Sequence, residues 1–172
     1  MRRKILIFLS LFFIQTNSVF ANEKILAAVP DAAIVGSGVL SYAFWDIYQA
    51  TLYAPQGHWN SAQPFSLSIT YYRAIKGTDI ADRSVQEMRK QGFLDEVKLA
   101  AWHAQMKSIF PNVNHGTVLS AVFMPEKHTI FYKGTDTIGS IKGDDFGQLF
   151  FGIWLDPKTS EPKLRRELLG LQ

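Results

Sequence analysis

"FSLSITYYRAIKGTDIADRSVQEM", residues 65–88, changes its period in mid-course. Its first eight residues alternate, with Phe65, Leu67, Ile69 and Tyr71 on one side and Ser66, Ser68, Thr70 and Tyr72 on the other. Successive side chains of a strand point to opposite faces, so this is a strand with one packed face and one polar face. Beyond Arg73 the spacing becomes helical. Thr78 or Asp79 can cap a helix over 79–91, with Ile80, Ser84, Val85 and Met88 along one stripe and Gly92 as its stop. A half-buried strand running into an amphipathic helix predicts a sheet with helices stacked on its apolar face.

The flanking segments extend this pattern. A second helix is predicted over 95–109, with Val97, Ala101, Trp102, Met106 and Ile109 on one stripe and Pro111 beyond its end. Upstream, residues 33–54 read as extended chain broken by Gly36 and Gly38, and "YAFWDIYQATLYA" (42–54) is apolar on both faces. That is the pattern of a central strand covered on both sides. "PQGHWNSAQP" (55–64) is a loop, and "TVLSAVFM", "HTIFYK" and "TIGSI" are further strands, the last two joined through Gly134-Thr135-Asp136. Asp144-Asp145 opens a helix through "FGQLFFGIWL", Pro157 ends it, and Ser160 with Pro162 starts a short last helix. The predicted order is β-β-α-α-β-β-β-α-α, an α+β domain with an antiparallel sheet and helices on one face.

The start of the chain is a different kind of segment. Arg2, Arg3 and Lys4 precede an apolar stretch over 5–14 and a polar approach to Val19-Phe20-Ala21, the order of a secretory signal cleaved after Ala21. The apolar stretch is half the roughly 20 residues that a spanning helix needs, so no membrane anchor is expected after cleavage. The expected organisation is a signal peptide at 1–21 and one domain at 22–172, located in the periplasm or secreted.

Removing the leader also removes the charge excess. The whole chain has 18 Lys plus Arg against 15 Asp plus Glu; without Arg2, Arg3 and Lys4 the balance is 15 against 15. A neutral domain lacks the clustered cations that nucleic acid or an anionic membrane surface would require, so neither is an expected partner. The absence of cysteine excludes disulfides, thiolate metal sites and a cysteine nucleophile.

Several motifs mislead. His58, His103, His115 and His128 are scattered without ligand spacing, so no metal is expected. Gly36-Ser37-Gly38 lacks the third glycine of a dinucleotide fingerprint, Ser41 standing in its place, and is not a nucleophile elbow. These glycines instead suit a bulge or a close crossing. Asp144 and Asp145 diverge by about 100° on a helix and are favoured at its N-terminus by the dipole, which argues against an acid–base pair.

From "VGSGVLSYAFWDIYQATLYAP" through "TYYRAIKGTDIADRSVQEM" and "WHAQMKSIFPNV" to "FFGIWLDPKTSEPKLRRELLG", the chain resembles the chalcone isomerase-like family, in particular its exported bacterial members. The resemblance implies a chalcone isomerase-like open-faced β-sandwich: a long antiparallel sheet, a helical layer on one face, and a cleft between them for a hydrophobic ligand. In plant enzymes of this family a phenolate closes a ring onto a conjugated ketone, helped by a strand arginine and by tyrosine or threonine hydroxyls. That chemistry needs a fixed cation near the phenolate and donors aimed at the carbonyl oxygen. After Gly38-Val39, where those enzymes carry the arginine, this chain has Leu40. No catalytic residue is therefore assigned.

Other members look like fatty-acid binders that hold a carboxylate with an arginine and a tyrosine. The candidate ligand-binding residues here are Tyr72 and Arg73, with Tyr42, Trp45 and Tyr48. A sheltered arginine–carboxylate pair contributes about 1.5–3 kcal/mol, and an acyl tail adds about 0.8 kcal/mol per buried methylene. The alternative stays open that Tyr72 and Arg73 are a solvated strand end and that Tyr42, Trp45, Asp46 and Tyr48 are core. Tyr71, Trp102 and Trp154 read as core, and His103 as exposed. The expected function is non-catalytic binding of a small apolar or acidic, fatty-acid-like ligand without a cofactor; an isomerase or lyase, or an envelope interaction protein without ligand, are the alternatives.

Overall fold

The computed structural model describes residues 27–171; the leader read at 1–21, its cleavage after Ala21, the domain start at 22 and Gln172 lie outside them. Among the described residues, strands β1 (Ala32–Tyr42), β2 (Trp45–Pro55), β3 (Phe65–Tyr71), β4 (Val118–Met124), β5 (His128–Lys133) and β6 (Asp136–Lys142) form one sheet. They pair in chain order, every neighbour antiparallel. Helices α1 (Gly77–Lys90) and α2 (Glu96–Ile109) lie between β3 and β4, and α3 (Asp144–Leu155) and α4 (Pro162–Leu168) follow the sheet. The expected α+β architecture, an antiparallel sheet with helices on one face, is the observed one.

The alternation read in 65–72 is the alternation of faces. Phe65, Leu67, Ile69 and Tyr71 are buried in the main core, and their cross-strand partners Phe123, Ala121 and Leu119 on β4 share that face. On β2, Leu52, Ala50 and Tyr48 sit opposite Leu67, Ile69 and Tyr71. The helices cover this face. Helix α1 buries Ala81, Ser84, Val85 and Met88, and α3 buries Phe146, Phe150, Phe151, Trp154 and Leu155.

The stretch 33–54 differs from its reading. It holds two strands, not one central strand covered on both sides, because the chain reverses at Ala43-Phe44 between the paired Tyr42 and Trp45. Ala43 takes the left-handed conformation (φ 54°) that turns of this kind more often give to glycine or asparagine. The aromatic run is therefore a hairpin tip, with Phe44 98% exposed and Tyr42 and Trp45 also in solvent. The helix stripes shift slightly too. Helix α2 buries Leu99, Trp102 and Met106, whereas Val97 is exposed. Neither Thr78 nor Asp79 caps α1: its N-cap residue is Lys76, whose side chain makes no capping bond, and Asn112 Oδ1 accepts from Gly77 N–H at 3.0 Å.

Gly36 and Gly38 have a definite task. The register of β1 against β2 slips between Ile34 and Gly36, so a bulge is present as expected. The close approach is made by a helix: a Cβ on Gly36 would run into the backbone of Glu167 and Leu168, and one on Gly38 into Leu164 and Glu167. Helix α4 docks on β1 through that clearance.

Gly36→Ala should therefore overpack this contact and lower stability by roughly 1–3 kcal/mol. Urea unfolding followed by tryptophan fluorescence measures it; an unchanged midpoint would mean that α4 does not rest on β1.

Candidate ligand-binding cavity

Between the covered face of the sheet and the helices lies a cavity of about 230 Å³. For scale, an engineered apolar cavity of about 150 Å³ admits benzene. One end is hydrocarbon. Leu67 and Ile69 on β3, Leu119 and Ala121 on β4, and Phe131 on β5 form its floor, and Phe110 and Phe150 form its roof. The alternation of β3 puts the floor residues there, and the apolar stripe of α3 supplies Phe150, Ile153 and Trp154 from above.

The other end is polar. Tyr48 and Tyr71 stand opposite each other on β2 and β3, their rings 5.9 Å apart edge to face. Trp154 Nε1 donates to the Tyr48 hydroxyl at 2.8 Å. Burial pushes both phenols far above their ordinary range, so both stay protonated at any pH the protein meets. Helix α1 contributes Asp79, Arg83, Ser84 and Glu87, and the loop before α4 contributes Ser160 and Glu161.

Glu87 organises that end. Its residue is 3% exposed. One carboxylate oxygen accepts from Arg83 at 2.7 Å and from Lys90 at 2.9 Å, and the other accepts from the Ser160 hydroxyl at 2.8 Å. Burial alone would push its pKa up, but the hydrogen bonds from Lys90 and Ser160 and the Arg83 charge outweigh it. The net displacement is below the ordinary carboxylate value.

Of the five residues read as ligand-binding, Tyr48 borders this cavity. The others lie elsewhere. Tyr72 is on the opposite face of the sheet, where its hydroxyl donates to Gln49 Oε1 at 3.2 Å and its ring lies near His115. Arg73 is exposed beyond the end of β3, 4.2 Å above the Trp45 ring, with its Nε donating to the Asp46 carbonyl at 3.4 Å. Tyr42 projects from the hairpin tip. Arg73, Trp45 and Asp46 thus form a surface group of their own. Tyr71, Trp102 and Trp154 are buried, as read, but Tyr71 and Trp154 also line the cavity. His103 is half-buried beside Asp82 rather than free in solvent. Asp144 accepts from Glu126 N–H and Asp145 from Lys98 Nζ, each at 2.8 Å, so the two acids serve separate contacts.

The cluster around Arg83 and Glu87 was missed, although the sequence contained a signal for it. Ser84 and Glu87 fall on the same side of α1 as Ile80 and Met88, and a polar residue within a buried stripe needs a partner inside the protein.

A meandering antiparallel sheet roofed by helices over an internal apolar cavity defines a sandwich class in which the space between the layers is the distinctive feature. The family model described as chalcone isomerase-like matches residues 17–170, and the chain belongs to that family. An uncharacterized protein of Haemophilus influenzae is 25% identical over 138 residues, covering 79% of this chain and 67% of that protein. The crystal structure of a fatty-acid binding protein of Arabidopsis thaliana superposes with a TM-score of 0.63 at 10% identity. That match covers 83% of this chain and 89% of the other. It establishes the shared fold.

Because the folded-state pKa of Glu87 is depressed, its cluster adds stability above the ordinary carboxylate value of 4.5. That stability is lost as pH falls through the lower folded value. Between about pH 5 and pH 3 the melting temperature of the wild type should fall more steeply than that of Glu87→Gln. Parallel curves would show that Glu87 is not the linked group.

Proposed function

We propose that this protein binds a small amphiphile, apolar in its body and polar at one end, in the cavity between sheet and helices, and does not transform it. The observation that carries this reading is the division of the cavity: a floor and roof of aliphatic and aromatic side chains, and a single polar end built on Tyr48, Tyr71, Arg83 and Glu87. Each methylene buried against the hydrocarbon end contributes about 0.8 kcal/mol, so the tail supplies affinity and the polar end orientation. The fold shared with a fatty-acid binding protein supports a ligand of this shape.

Leu40 supports the non-catalytic part. It stands where the family's plant enzymes carry their strand arginine, and it lines the cavity with a hydrocarbon side chain. A developing phenolate would find no strand cation there. The carboxylate anchor expected from Arg73 also lies outside the cavity, so that residue is assigned to the surface group with Trp45. Export after cleavage at Ala21, to the periplasm or beyond, belongs to the same proposal and rests on the sequence of the leader.

Nile red, an uncharged apolar dye, should bind the purified protein and be displaced by ten-carbon amphiphiles. Ala121→Phe fills the floor and should weaken dye binding by about tenfold or more, while Phe44→Ser at the exposed hairpin tip should leave it unchanged. Equal binding by wild type and Ala121→Phe would place the dye elsewhere and remove the cavity as the site.

A further inference from the structure

The charges at the polar end do not suit an acid. Arg83 is the cation that lines the cavity, and Glu87 already holds it at 2.7 Å. Lys90 reaches the same carboxylate from behind, so Glu87 is met by two cations. Asp79 and Glu161 line the same end, and neither has an ion-pair partner among the described residues. Among the described residues Asp79 accepts only the Thr78 hydroxyl, at 3.3 Å. Three carboxylates thus face two cations, and the free charges are negative.

The free donors are neutral. Trp154 donates to the Tyr48 oxygen, which leaves the Tyr48 O–H proton without a partner among the described residues. The Tyr71 hydroxyl, on a residue 4% exposed, likewise makes no hydrogen bond among the described residues, and this tyrosine lines the cavity. An uncharged oxygen acceptor in the cavity would take these protons. A carboxylate in the same position would face Asp79 and Glu161, and the Arg83 charge that could offset them is already partly neutralised by Glu87, a penalty against the charged head.

We infer that the cavity selects an amphiphile whose head is an uncharged carbonyl or ester oxygen, received by Tyr48 and Tyr71, over the carboxylate of the same chain length. This rests on the ligand-binding reading above. Asp79 and Glu161 are its specificity-determining residues and act by repulsion.

The test displaces Nile red from the whole purified protein with decane, methyl decanoate, decanoate and decylamine at about pH 8, where a carboxylate is ionised. Methyl decanoate should displace the dye at a concentration about tenfold lower than decanoate. In Asp79→Asn/Glu161→Gln the gap should close because decanoate improves. Tyr48→Phe/Tyr71→Phe should weaken methyl decanoate while leaving decane unchanged. Decanoate matching the ester in the wild type, or decylamine binding tightest, would overturn the inference while leaving the cavity as a binding site. Failure of all four compounds, decane included, would overturn the ligand-binding reading and the inference with it.

Discussion

The packing of large rings between α3 and the sheet sets the position of everything else. Phe151 meets Phe65 with centroids 4.7 Å apart, Phe150 meets Phe131 at 5.3 Å, and Phe146 meets both Phe131 and Trp102. Each such pair adds about 0.5–1.5 kcal/mol beyond the area it buries, and most of these are edge-to-face, the arrangement the ring quadrupole favours. Gly147 lets α3 come this close, because the Phe123 ring occupies the place a side chain would need. The helix is thereby pinned over β3, β4 and β5. Towards β1 and β2 the sheet is covered instead by the short α4, seated on Gly36 and Gly38. The cavity lies where the reach of the rings ends.

The parts of the fold that were legible are those whose two faces differ in polarity. Strand β3 shows its alternation because Ser66, Ser68 and Thr70 turn away from the main core that buries Phe65, Leu67 and Ile69. Helix α1 is amphipathic for the same reason. The hairpin over 33–54 was not legible, since its turn uses Ala43 with no glycine or asparagine to mark it. Its apolar continuity came from aromatic residues at an exposed tip, and composition alone cannot separate these from core. Helix α2 carries apolar residues around much of its circumference, so a stripe through Val97 was as acceptable on sequence as the true one through Leu99. Its neighbours decide which side is covered.

The site was harder to read than the fold, for a reason visible at Arg73. By strict alternation Arg73 would share the buried face with Tyr71. Strand β3 ends at Tyr71, however, and the chain bends before the bridge between Ile75 and Val113. The side chain leaves the sheet and settles over Trp45. The cation at the cavity is Arg83, one helix further on, where residues at i and i+4 share a face and Glu87 is within reach. Sequence patterns locate residues on elements, but the end of an element decides which side of the layer they serve.

An apolar cavity of this size is expensive to keep. Side chains that line a cavity of about 230 Å³ give up dispersion contacts that a packed core would make, and that loss is a cost to stability. Larger side chains at Ala121, Ile69 or Ile138 would fill the space and recover part of it, and cores tolerate such changes when volume is conserved. The polar end adds a second cost, since two phenols and an ion-pair cluster are held where hydrocarbon would pack equally well. Neither cost is needed to build the sheet or to seat α3, both of which are stabilised by contacts on the aromatic side of the core. A hollow that the fold does not require, with unpaired donors at one end, makes physical sense as a space that a guest molecule fills. Its bound state would restore the missing dispersion contacts and occupy the free hydroxyls.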